Sequence, residues 1–119
     1  MNIGKRGKSG EDRVAAFLVK RGYTLLKQNF VSKYGEIDII AKNRKYIVFV
    51  EVKTRKENSM IGGKEAVDNA KRQRIVLSAR DYLSKTNWEL QPRFDVAEVT
   101  VREEKECEKY SLNYIENAF

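Results

Sequence analysis

Two acidic residues interrupt stretches that otherwise read as the apolar interior of a sheet. Glu51 falls inside Ile47-Val48-Phe49-Val50-Glu51-Val52, and Asp38 falls between Ile37 and Ile39. A carboxylate in a strand covered on both faces is costly to bury unless it is paired with a cation or bound to a metal. Val48, Val50 and Val52 share one face of their strand, and Phe49, Glu51 and Lys53 share the other. Lys53 can therefore form an ordinary strand-end ion pair with Glu51. Asp38 has an even number and Glu51 an odd one. A two- or four-residue turn pairs positions of opposite parity, which puts both carboxylates on one face of a hairpin, directly opposite or diagonal to each other. Two carboxylates that close need a cation between them at neutral pH. Lys53 can be that cation; equally, two carboxylates and a backbone carbonyl begin a Mg²⁺ shell.

Glu11 is a third candidate. It precedes Val14, Ala15 and Leu18 by 3, 4 and 7 residues and so heads the core-facing stripe of a helix. If that stripe packs on the sheet, Glu11 can point at the Asp38–Glu51 face. An acid in the first helical turn is also favoured by the helix dipole alone. Three acids and Lys53 converging on one face argue for a site rather than for separate coincidences.

Several elements must position these residues. Ser9-Gly10-Glu11-Asp12 has the spacing of a helix-capping box, and Gly22 supplies a stop. Strands are expected over Tyr23–Phe30, Gly35–Ala41 and Tyr46–Val52, with Lys42-Asn43-Arg44-Lys45 as the hairpin link between the last two. Residues 55–64 read as a loop. A long helix is expected over about 64–85, with one apolar stripe of Ile75, Ala79, Tyr82 and Leu83 and another of Ala66, Ala70 and Leu77, hence covered on two sides. Strands over Phe94–Val101 and Tyr110–Ile115 complete an α-β-β-β-α-β-β order. One mixed α/β domain spanning residues 1–119 is the economical reading.

Composition narrows the chemistry. The 119 residues include 24 Lys and Arg against 17 Asp and Glu, for a formal charge of +7. Residues 97–119 are mildly acidic, so the excess positive charge lies in residues 1–96. Such a body attracts polyanions, nucleic acid above all. There is no histidine and a single cysteine, Cys107, which excludes zinc and haem sites, Ser-His and Cys-His catalysis and an internal disulfide framework. Carboxylates, lysines, hydroxyls and hard metal ions remain. No apolar run is long enough to span a membrane. The basic start leads into no apolar stretch, so a secretory signal is not expected. A cytoplasmic location fits the lone cysteine.

The sequence resembles a known family. Asp38 followed by Glu51-Val52-Lys53 resembles the Asp…Glu-x-Lys core of the PD-(D/E)XK, or restriction-endonuclease-like, superfamily. More closely, Gly10-Glu11, Gly35-Glu36-Ile37-Asp38-Ile39-Ile40-Ala41, Phe49-Val50-Glu51-Val52-Lys53-Thr54-Arg55 and Arg93-Phe94-Asp95-Val96 are similar to the YraN family of small endonuclease-like bacterial proteins. Ile37 stands where the superfamily has a proline before the aspartate, as it does in the YraN-type pattern.

The resemblance implies a restriction-endonuclease-like core, a mixed sheet flanked by helices in α-β-β-β-α-β order. It implies metal-dependent cleavage of DNA, branched or single-stranded forms included, with Mg²⁺ or Mn²⁺ as cofactor. Asp38, Glu51 and the Val52 carbonyl would hold the metal. Lys53 would orient the attacking water and offset charge on phosphorus, Glu11 would be an auxiliary ligand or base, and Gln73, near the start of the second helix with Lys71, would reach the site. Structure-selective members of the superfamily often act as homodimers. Phosphodiester hydrolysis needs an activated water and neutralised oxyanion charge, and carboxylates, a hard metal and an ammonium supply both without histidine. Arg55, Lys56 and Lys64, with Lys5, Arg6 and Lys8 near the first helix, are candidates for phosphate contacts or simply a solvated surface. Arg93 and Asp95 read as a structural salt bridge. The alternative to a nuclease is a nucleic-acid-binding module that keeps the fold with little or no catalysis.

Overall fold

The run from Ile47 to Val50 is fully buried and forms the middle of a five-stranded sheet. The computed structural model describes residues 3–57 and 68–119, with residues 3–9 described for their backbone alone. Helix α1 (Ile3–Lys20) precedes strands β1 (Thr24–Ser32), β2 (Gly35–Lys42) and β3 (Tyr46–Lys56). Helix α2 (Asn69–Ser84) then leads to β4 (Gln91–Glu104) and β5 (Cys107–Ile115). The sheet order is β1-β2-β3-β4-β5. β3 and β4 are parallel, joined by the crossover that contains α2, and the other neighbours are antiparallel. Among the described residues no helix is long and apolar enough to cross a membrane.

Each helix covers one face of the sheet. Val14, Ala15 and Leu18 of α1 pack on Ile39, Ala41, Val48, Val50, Ala97 and Val99. Ile75, Ala79 and Tyr82 of α2 pack on Ile40, Ile47, Phe49 and Val96. Burial on both sides is why β3 reads as a near-continuous apolar run rather than an alternating one. The element order and the mixed α/β sheet match the sequence-based expectation.

Several boundaries differ from that expectation. α1 begins at Ile3, so Ser9 is not its cap and Gly10 lies within it. The glycine serves a close approach instead: a Cβ there would collide with Thr54 Oγ1 of β3. β3 continues through Arg55 and Lys56, which were expected in a loop, because β4 pairs with it as far as Lys56↔Val101. Residues 58–64 of that expected loop lie outside the described residues. α2 starts at Asn69, and its cap Asp68 accepts from Lys71 N at 2.8 Å. Ile75, Ala79 and Tyr82 of its first apolar stripe are buried and Leu83 is half-buried, but Ala70 and Leu77 of the second are exposed. Among the described residues the helix packs on the sheet along one side, and its second stripe is not covered. (Ala66 lies outside the described residues.) β4 and β5 are longer than expected and meet in a tight hairpin whose two turn residues, Lys105 and Glu106, have φ of 43° and 67°. Two left-handed residues make the turn that fits strand twist, but without the usual Asn or Gly it leaves no sequence signal.

Candidate active site

The site lies where β2 and β3 part. Their described ladder runs from Lys42↔Ile47 to Ile39↔Val50, and the next pair in that register is Asp38 with Glu51. On the other side, β1 steps from Gln28↔Ile39 to Phe30↔Ile37. That places Asn29 across from Asp38, with a left-handed φ of 56°, which asparagine adopts at lower cost than most residues. Both neighbours of β2 are thus irregular at Asp38, and its side chain bridges to β3: Val52 N donates to Asp38 Oδ2 at 2.7 Å. In a strand the N–H and C=O of one residue point to the same side, so the Val52 carbonyl also faces this gap.

Burial pushes the Asp38 carboxyl up to about 7; the Val52 N–H opposes the shift, and the charges of Glu51, Glu11 and Glu36 add to it. Glu11 and Glu51 are therefore each close enough to act on Asp38, but Glu51 pairs with α2 on one face of the sheet whereas Glu11 belongs to α1, which covers the other. Glu11 is half-buried on α1, held over β3 by the Gly10–Thr54 approach.

Glu51 is 7% exposed. Its partner is Lys71 of α2, with Nζ 2.5 Å from Oε2, not Lys53. Side chains two apart on a strand stand side by side, roughly 6.5 Å apart, whereas the start of α2 overhangs Glu51 directly. Lys53 is half-buried and lines a pocket of about 240 Å³ with Glu51, Val52, Thr54, Arg55, Lys71 and Glu98. Its strand neighbour in β4 is Glu98.

The remaining expected residues divide. Arg55 lines the pocket and Lys56 is exposed just beyond it. Gln73 is exposed along a different groove, with Arg72, Val76, Leu77, Arg80 and Phe119. Two residues along a helix is more than half a turn, so Lys71 and Gln73 cannot face the same way; Lys71 is the one that reaches the site. The side chains of Lys5, Arg6 and Lys8 and the whole of Lys64 lie outside the described residues. One signal for Lys71 was present in the sequence. Lys71, Arg72 and Arg74 load the start of a helix with cations, and its first turn has no acid, against the preference set by the helix dipole.

A five-stranded mixed sheet with one helix on each face, opened at an acidic centre beside a parallel β3–β4 pair, is a restriction-endonuclease-like α/β core. Residues 10–99 match the family described as uncharacterised protein family UPF0102. A UPF0102 protein of Caldanaerobacter subterraneus subsp. tengcongensis is 47% identical over 115 residues, covering 95% of this chain and 93% of the relative. One from Clostridium acetobutylicum is 43% identical over 97% of this chain and 93% of its own. A third, from Caldicellulosiruptor saccharolyticus, is 39% identical over the full length of both. The chain belongs to the UPF0102 family, the YraN family that its motifs resemble.

Proposed function

We propose that this protein is a divalent-metal-dependent nuclease that hydrolyses DNA phosphodiester bonds, with branched or otherwise structured DNA among its substrates. The observation that carries this reading is the placement of Asp38 and Glu51 as the next pair in register where β2 and β3 part, with Glu11 near enough to act on Asp38 and Lys53 in the adjoining pocket. The donor set suits Mg²⁺ or Mn²⁺. It consists of hard oxygens, burial and then the neighbouring carboxylates raise the Asp38 pKa, and a divalent cation would offset both. Asp38, Glu51 and the Val52 carbonyl would hold the ion. When bound, it would supply Lewis-acid polarisation of the phosphate and an acidified water.

The chain's own residues do the rest. The Val52 N–H fixes the Asp38 carboxylate against the edge of β3. Lys53 presents an ammonium to the pocket, where it can orient a water and offset charge developing on phosphate oxygens. Glu11 adds a carboxylate able to accept a proton from that water. The formal charge of +7 draws a polyanion toward this small acidic centre.

The test is incubation of the purified chain with linear, single-stranded and four-way-junction DNA in Mn²⁺. Cutting that Glu51→Ala abolishes supports the nuclease. Salt-sensitive binding with no cutting of any substrate under any metal replaces it with a nucleic-acid-binding module.

A further inference from the structure

We infer that Lys71 is a positioning residue that stands in for the divalent cation at Glu51, holding that carboxylate until a metal displaces it. The inference rests on the metal-dependent reading above and assigns Lys71 a role there that differs from that of Lys53.

Glu51 is almost wholly buried, and an ionised carboxylate in such a place needs a countercharge. The Lys71 ammonium supplies it at hydrogen-bond range. Lys71 comes from the first turn of α2, where the helix dipole disfavours a cation. The Asp68 cap offsets the dipole there, and the Glu51 carboxylate gives the Lys71 side chain its ion-pair partner. The lysine side chain is also 40% exposed, against 7% for its partner. The carboxylate is fixed in the wall of the pocket, whereas the ammonium can swing into solvent on its long stem.

Asp38 and Glu51 are held by different partners. Among the described residues no three carboxylates are close enough together to bind a metal. Asp38 accepts from the Val52 N–H, and Glu51 accepts from Lys71. Lys53 shares the pocket but is not the group that neutralises Glu51, which leaves its ammonium to face a substrate. The two lysines thus divide the work. Lys53 is directed at the reacting phosphate, and Lys71 holds a metal ligand in position while no metal is there. A cation arriving at Glu51 must compete with Lys71, so intrinsic metal affinity is lower than the carboxylates alone would give. Once displaced, the Lys71 ammonium remains in the pocket as a partner for phosphate.

The experiment is titration calorimetry of the full chain with Mn²⁺ in the absence of DNA, comparing wild type, Lys71→Met and Lys53→Met. Lys71→Met should bind Mn²⁺ about tenfold more tightly, having lost both a competitor and a like charge at the ligand. Lys53→Met should change affinity only a few-fold. Thermal unfolding should show a larger Mn²⁺-induced rise for Lys71→Met than for wild type. A residue that served only the fold would lower stability without tightening metal binding. Should Lys71→Met fail to fold, Lys71→Gln removes the charge, keeps a donor and carries the same expectation. Unchanged or weaker binding by the folded variant overturns the inference, as does an equal gain in Lys53→Met. If neither wild type nor Lys71→Met binds Mn²⁺, the metal-dependent reading falls with it. If wild type binds and Lys71→Met binds no better, only the role of Lys71 falls.

Discussion

Asp38 and Val52 face each other across the gap between β2 and β3, with Val52 N 2.7 Å from Asp38 Oδ2. That bond favours the ionised carboxylate, yet burial and three neighbouring glutamates outweigh it, and the carboxyl is pushed up to about 7. The folded chain therefore holds the Asp38 proton more tightly than the unfolded chain does. Stability falls as pH rises from about 4 to about 7 and stays at the lower level above that. Asp38→Asn removes the titration and keeps an acceptor for Val52 N–H. At pH 8 the variant should be more stable than wild type by about 2 kcal/mol, a figure reduced from the full shift because solvent reaches the group. At pH 4 the two should coincide. Urea unfolding at both pH values checks this, and equal stability at pH 8 would show that Asp38 is not strained by its neighbours. The same substitution should remove metal binding, the usual opposition between site chemistry and stability.

Lys53 separates chemistry from binding. Its ammonium lines the pocket beside Glu51 and Arg55, while the basic surface that attracts DNA is spread over many other side chains. Lys53→Ala should lower the cleavage rate by at least about 10²-fold, the scale of losing one preorganised charge stabiliser. Salt-sensitive DNA affinity should change less than about threefold, the loss of one phosphate contact being small. Cleavage assays and fluorescence anisotropy on the same DNA measure the two effects. A parallel loss of both would assign Lys53 to phosphate contact alone.

Much of this was legible in local pattern, and what was not depended on tertiary placement. The parity of Asp38 and Glu51 sufficed because the innermost hairpin pair, Lys42↔Ile47, encloses four residues and preserves opposite parity. Apolar runs around both acids marked them as exceptions. The partner of Glu51 was harder, because whether Lys71 or Gln73 reaches the site depends on the rotation of α2 about its own axis, and that is fixed by Ile75, Ala79 and Tyr82 packing on β2 and β3. The β4–β5 turn at Lys105 and Glu106 was invisible because its left-handed backbone is imposed by the paired strands rather than by residue type. Ser9 and Asp12 have the spacing of a capping box, but Gly10 between them serves a contact with a strand more than forty residues on.

Gly10 should tolerate no side chain. A methyl group there would overlap Thr54 Oγ1, so the Thr54 side chain must turn to a position where its Cβ and Cγ2 are already close, or α1 must lift from β3. Gly10→Ala should cost about 1–3 kcal/mol despite the better helix propensity of alanine. Thr54→Ala removes the obstructing oxygen, so the double variant should recover most of the loss. Chemical denaturation of the two single variants and the double variant measures the coupling. A Gly10→Ala protein as stable as wild type would mean that α1 does not approach β3 through this glycine.

Arg93 and Asp95 form the structural pair that their spacing suggested, and they anchor the face of the sheet away from Lys53 and Lys71. Asp95 is fully buried. It accepts from Arg93 Nε at 3.0 Å and Nη2 at 2.8 Å, from Tyr114 Oη at 2.6 Å and from the Asn117 amide at 2.9 Å. Arg93 also donates to Tyr23 Oη at 2.7 Å and lies over the Tyr46 ring. Burial and the Asp95 carboxylate push the Tyr114 hydroxyl far up, so that proton stays in the network. Asp95→Ala strands the Arg93 charge and should cost about 3–5 kcal/mol. Tyr114→Phe removes one bond to a carboxylate and should cost about 1–2 kcal/mol. Because this network lies under α1 whereas Glu51, Lys53 and Lys71 lie on the face covered by α2, Tyr114→Phe should leave Mn²⁺ affinity unchanged within about twofold while lowering the unfolding midpoint. Calorimetry and thermal unfolding of one preparation read both, and a fall in metal affinity would couple the buried pair to the site.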